Sequence, residues 1–208
     1  MLNNEKIKVA VIVGWHPYDV VNFQKLFESI DGTECYIQHM EQFTSSDKER
    51  RQWYDVLVFY NMHSDTPETA LSELGETKQG IFVLHHALLA YPQWSVWSEI
   101  CGIDDRRFDY HLNQTVELQI ADQSHSITEG VSDFSLVDET YTMKNAGTDS
   151  KILITANHPK SMESIAWVRK YKNSPVFCFE SGHDNSTFSN GNFRKIVKQA
   201  IVWLAKGE

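Results

Sequence analysis

A chain of 208 residues is long enough for one medium α/β domain with a full core. Its 28 acidic and 19 basic side chains give a net charge of -9 with no basic stripe, which disfavours DNA or RNA as a partner and serves solubility. The three cysteines, Cys35, Cys101 and Cys178, lack metal-like spacing and have apolar or aromatic neighbours, which suits reduced thiols in a cytoplasmic protein. The first residues carry neither the apolar core nor the cleavage site of a signal peptide, and no run is long enough to span a bilayer, so no membrane role is expected.

Ile7 to Val13 is almost wholly apolar and β-branched, a first strand. Pro17 and Asp19 fit a helix start, and Val20, Phe23, Leu26, Phe27 and Ile30 repeat at helical spacing until Asp31-Gly32. Glu34 to His39 is a shorter, mixed strand suited to a sheet edge. Thr44 to Gln52 reads as a short helix or loop, and Tyr54 to Tyr60 as the third strand. Thr66-Pro67-Glu68 reads as another helix start, leading to Leu71 and Leu74. Gly80 then opens the apolar run Ile81 to Leu84, which stops at His85-His86. Trp94, Trp97 and Cys101 follow at helical spacing, with Gly102 as C-cap.

Strands alternating with helices give a parallel sheet with right-handed crossovers. After Gly102 the pattern changes. Thr115 to Ile120, Phe134 to Val137, Lys151 to Thr155 and Ser164 to Val168 read as shorter, partly antiparallel strands. Pro175 to Phe179, a polar loop from Glu180 to Asn192, and a final helix with Phe193, Ile196, Val197, Ala200, Ile201 and Leu204 on one face close the chain. No repeat, low-complexity tract or linker interrupts it, so a single domain over residues 1–208 is expected.

Ligands of open parallel sheets sit outside the carboxyl ends of the strands. Of nine histidines, His16, His63, His85 and His183 follow such ends, and with parallel strands His16, His85 and His183 gather on one rim. Imidazoles with a carboxylate can move protons near neutral pH or hold a divalent metal such as zinc with an open position. The set offered for these roles is His85, His183 and Glu139 as catalytic groups, with His85, His111 and His183 as the metal-binding alternative. His39, His63, His125 and His158 are read as solvent or loop residues. Trp94 and Trp97 could stack on a sugar ring, though aromatics at helical spacing more often fill a core. The tip Leu84-His85-His86-Ala87 has no Ser or Cys, so a nucleophile elbow is not expected. No G-x-G-x-x-G or P-loop pattern marks a nucleotide site.

Taken together and in order, several segments resemble the ThuA-like (trehalose-utilisation) family, whose fold is that of class I glutamine amidotransferases. They are Tyr54 to Asn61, Gly80 to His85, Trp94 to Gly102, Phe108 to His111, Asp122 to Gly130, Val137 to Tyr141, Ile165 to Val168, Val176 to Asp184, and Phe188, Phe193 and Ile201 to Trp203. The resemblance implies a flavodoxin-like, three-layer α/β sandwich with a mostly parallel sheet and an additional partly antiparallel segment. It implies loss of the amidotransferase cysteine near His85, and a link to disaccharides or keto-sugars. The family's polar positions fall on His85, His111, Asp138, Glu139, His183 and Asp184. The substrate-contacting set is therefore His16, His111, Trp94, Asp138 and Asp184. Ser126 stands where the family has Pro, and Lys172-Asn-Ser-Pro175 where it has a Gly-rich, Arg-containing turn. The second change bears on the backbone or Arg contact to substrate that the resemblance implies for that turn.

Three functions follow as expectations. The first is an enzyme acting on a small carbohydrate. The second is a non-catalytic sugar-binding or regulatory module on a degenerate amidotransferase scaffold. The third is a residual thiol enzyme using Cys101 or Cys178. Such sheets pair through an exposed strand or helix, so a homodimer is the expected assembly.

Overall fold

The computed structural model describes residues 5–65 and 69–207. Its elements run β1 (Ile7–Gly14), α1 (Val20–Glu28), β2 (Thr33–His39), α2 (Met40–Ser45), α3 (Lys48–Gln52), β3 (Val56–Asn61), β4 (Gly80–Leu84), α4 (Ser95–Cys101), β5 (Asp109–Ile120), β6 (Phe134–Thr142), β7 (Lys151–Ala156), β8 (Ser164–Tyr171), β9 (Ser174–Phe179), α5 (Asn185–Phe188) and α6 (Gly191–Lys206). Short 3₁₀ turns cover Thr69–Glu73 and His85–Leu89. The helix start expected at Thr66 to Glu68 lies outside the described residues.

All of these strands join one sheet in the order β2-β1-β3-β4-β9-β8-β7-β5-β6. The first five are parallel, and each later pairing is antiparallel. The inner strands are apolar on both faces because helices cover both. Val9, Val11, Val13, Val58, Phe82, Leu84, Phe177 and Phe179 pack towards α1, α5 and α6. Their alternates Ala10, Ile12, Leu57, Phe59, Ile81, Val83, Val176 and Cys178 pack towards α2 and α4. That two-residue alternation is the strand period expressed as layers.

Capping follows the local sequence. Asp19 accepts from the Asn22 amide to start α1, and Gly102 ends α4 at φ 73, a conformation that suits glycine. Gly80 has a different reason. A Cβ there would stand 2.6 Å from Leu204 Cβ and 2.9 Å from the Leu204 carbonyl oxygen, so its absence lets α6 cross β4 closely.

The antiparallel half matters most for the site. β5 pairs with β7 only from Leu118 to Ile120, so the rest of the β5–β6 hairpin is free to bend away from its neighbour. Its register breaks between His111 and Gln114, where Asn113 adopts φ 54. A bulge of this kind bends and twists a strand pair. The curl returns β6 over the carboxyl ends of β4 and β9, where the Tyr141 amide donates to Glu180 Oε1 at 2.9 Å. Asp138 to Tyr141 therefore belong to a strand, whereas the sequence pattern ended it at Val137.

Candidate active site

His85 follows β4 with φ 51. A residue with a Cβ pays about 1–2 kcal/mol for that left-handed backbone. The geometry is that of a strand-to-turn elbow, which lifts one side chain over the sheet edge. The imidazole is wholly buried. Its Nδ1 lies 2.7 Å from the Glu180 carbonyl oxygen, which can only accept, so Nδ1 carries hydrogen and donates. Its Nε2 faces the Tyr141 hydroxyl at 2.9 Å, and that hydroxyl donates to Glu139 Oε1 at 2.8 Å.

The loop after β9 brings the second imidazole. Asp138 accepts from the Gly182 amide at 2.8 Å and the His183 amide at 3.0 Å, while the Tyr60 hydroxyl donates to the Gly182 carbonyl at 2.8 Å. Gly182 has φ 136, and a Cβ there would sit 3.3 Å from Leu84 Cδ1 and 3.4 Å from His85 Cβ. Glycine thus lets the loop close against the elbow. The result places His183 Nδ1 3.8 Å from Glu139 Oε1, with His85 Nε2 3.6 Å from the same oxygen. The His85 side chain is 0 % exposed and His183 27 %, so His183 is the solvent side of the group.

One hydroxyl proton cannot serve two acceptors. While Tyr141 donates to Glu139, His85 Nε2 and the phenol oxygen need a further positive charge between them, a proton on Nε2 or a cation. Burial opposes charge on His85, yet the carboxylates of Glu139 and Asp138 and the Glu180 carbonyl outweigh it and raise its pKa above the ordinary imidazole value. Burial also pushes Glu139 up, but His85 and the Tyr141 hydroxyl pull its pKa below the usual carboxylate value. Glu180, wholly buried and close to Asp138, is pushed up to about 8. Burial likewise raises Asp138, against the two backbone amides that favour its charged form.

Two more imidazoles adjoin the group. The His16 and His86 rings lie 4.4 Å apart, and the His16 ring lies 6.4 Å from that of His183. Burial lowers the pKa of His16 and lowers that of His86 strongly. The Nδ1 atoms of His16, His86 and His183 are buried without a protein hydrogen-bond partner. Trp15, which precedes His16, is 61 % exposed at φ 63 and leans on His63 with ring centroids 5.8 Å apart.

Of the residues singled out by sequence, His85, His183, Glu139 and His16 converge. Asp138 adjoins them, but both its oxygens hold the Gly182–His183 backbone, which gives it a positioning role. His111 stands apart: its Nε2 contacts Thr142 Oγ1 at 3.3 Å, and among the described residues the His, Cys, Asp or Glu group able to share a metal is His85, Glu139 and His183. Glu139 thus takes the place given to His111, because the hairpin curl turns the β6 carboxylate towards the elbow. Asp184 caps α5 by accepting from the Ser186 amide. Trp94 stacks on buried Trp97, with centroids 6.2 Å apart, and belongs to the layer under α4. His63, expected in solvent or a loop, lies in the loop after β3 but is buried there, because Gly14, Trp15 and Tyr91 enclose it. Cys101 and Cys178 are wholly buried, and burial holds the Cys178 thiol well above its usual pKa, so Cys178 presents no thiolate and neither sulfur meets solvent. The groups that sequence missed are Tyr141, Glu180 and Trp15. A groove of about 1070 Å³ runs past Ser95, Glu99, Lys144 and Arg169 and does not include the histidines.

A parallel core bordered by an antiparallel hairpin, with a strained elbow that carries His85, is an α/β fold of the class I glutamine amidotransferase-like kind. The family model for trehalose utilisation, ThuA, matches residues 17–204, and the chain belongs to that family. A ThuA-like protein from Parabacteroides merdae superposes with a TM-score of 0.81 at 18% identity, covering 98% of this chain and 91% of its own. A cytoplasmic protein from Salmonella typhimurium gives 0.68 at 13% identity, covering 94% and 98%. A protein described as a GMP synthase A subunit from Thermoplasma acidophilum gives 0.63 at 11% identity, covering 97% and 95%. At these identities the likeness is one of fold. No curated protein sequence matches the chain. Among the described residues, no helix is long and apolar enough to cross a membrane.

Proposed function

We propose that the chain is an enzyme of carbohydrate metabolism that acts on a disaccharide or its keto derivative where His85, Glu139 and His183 meet. The observation that carries this reading is the convergence of three side chains from separate segments, two imidazoles and one carboxylate, on a common point beneath a partly exposed edge. Such a set can move protons on and off sugar hydroxyls and carbons beside a carbonyl near neutral pH. Exposed Trp15, next to His16, offers an aromatic face of the kind that a sugar ring stacks on. The trehalose-utilisation family supplies the substrate class.

The test is calorimetry with a panel of disaccharides and their keto derivatives, run beside a turnover assay on the same compounds. Turnover that His85→Ala and His183→Ala abolish, with the folded structure retained, supports the proposal. Binding without product transfers the site to a sugar-binding module, the reading that the missing elbow nucleophile favours. Neither binding nor turnover refutes both.

A further inference from the structure

We propose that His85 Nε2, Glu139 Oε1 and His183 Nδ1 hold a divalent transition-metal ion of the zinc class. The ligand-bearing atoms all lie within 4.8 Å of one another. The two separations from Glu139 are 3.6 and 3.8 Å. Both exceed an ordinary hydrogen bond, and both are near the spacing of about 3.3 Å between ligands that bind one zinc ion tetrahedrally at about 2.0–2.1 Å.

The surroundings suit a cation. Asp138 and Glu139 lie together in a buried region, and among the described residues no lysine or arginine pairs with either. Buried carboxylates are ordinarily paired or bound to metal. His85 already has the outer contact that fixes an imidazole ligand: Nδ1–H donates to the Glu180 carbonyl and leaves Nε2 for the ion. His183 Nδ1 has no protein partner. Tyr141 can keep its bond to Glu139 while the ion replaces its contact with Nε2. Nitrogen and oxygen donors of this kind suit zinc, cobalt or nickel over calcium or magnesium.

Two imidazoles and one carboxylate leave further coordination positions open. On the side of partly exposed His183, a sugar carbonyl or hydroxyl oxygen would complete the set. This deepens the reading above, and only the choice of a sugar oxygen rests on it.

The test uses the untagged full chain, stripped with a chelator and titrated with zinc chloride by calorimetry and thermal melting. The expected result is one ion per chain and a raised melting temperature. Glu139→Gln and His183→Ala should each weaken zinc binding by more than about 100-fold, since even outer contacts of a metal site are worth about 10–100-fold. His125→Ala, at a ring that packs on Trp203 of α6, should bind as the parent does. Circular dichroism in chelator establishes that each variant is folded, and a variant that fails is replaced by His183→Gln. Absence of a stoichiometric ion overturns the proposal, as does parental affinity in both ligand variants. Zinc binding without sugar turnover would leave this inference standing and the proposed activity refuted. Turnover by a protein that takes up no stoichiometric ion would do the reverse.

Discussion

The Tyr141 hydroxyl stands 2.9 Å from His85 Nε2, and the two rings lie 5.1 Å apart at 29°. Tyr141 comes from β6, the last strand at one edge of the sheet, while His85 follows β4 in its middle. Only the curl of the β5–β6 hairpin brings them together.

Tyr141→Phe tests that contact. The substitution keeps the ring and removes the bridge between His85 and Glu139. Leaving buried polar partners unsatisfied costs about 1–3 kcal/mol, which urea unfolding would measure. The ¹⁵N shifts of the His85 ring should move while those of exposed His39 stay. Unchanged stability and shifts would show that the bridge does not form in solution.

The elbow is testable through its backbone. At φ 51, alanine keeps the left-handed penalty that glycine escapes. His85→Ala and His85→Gly lose the same imidazole contacts, yet the glycine variant should be more stable by about 1 kcal/mol. An alanine variant that is equally or more stable would place residue 85 in ordinary backbone conformation.

Asp138→Ala should act through His183. Removing the carboxylate frees the Gly182 and His183 amides, at a cost of about 1–3 kcal/mol. Hydrogen exchange at those two amides should rise well before exchange in β9. Protection unchanged from the parent would deny Asp138 its positioning role.

Acid should destabilise the metal-free protein through its buried imidazoles. Burial is the first cause of the lowered pKa at His16, His63, His86 and His125. A histidine depressed by folding binds fewer protons folded than unfolded. Its contribution is present above about pH 6.5 and is lost as pH falls below that value. His63 lies outside the proposed metal group and accepts from the Asn61 amide nitrogen at 3.1 Å. His63→Gln should therefore flatten the fall in melting temperature between about pH 7 and pH 5. An unchanged slope would mean that His63 is solvated.

The parallel half was legible because β-branched, apolar runs such as Ile7 to Val13 and Ile81 to Leu84 have few other places to go, and their ends set the rim of His16, His85 and His183. The hairpin was less legible. Its bend depends on a register break at Asn113 and on how little of β5 pairs with β7, and neither is a matter of composition. Glu139 therefore entered as one of an acidic pair, with nothing local to distinguish its role from that of Asp138. Tyr141 carried a weak signal, as an aromatic two residues after those acids in the same strand. Trp94 and Trp97 share one helical spacing whether they face a ligand or a core, and tertiary packing put both against the sheet.

His85 and His183 should act on one substrate as a unit, which a double-mutant cycle on kcat/KM reads for the disaccharide or keto-sugar that the panel identifies. Groups that act as a unit are strongly non-additive. Each alanine variant should lose at least about 100-fold, and the double variant little more than either alone. Losses that multiply, or a panel with no compound turned over, would mean that the two imidazoles do not form one catalytic unit.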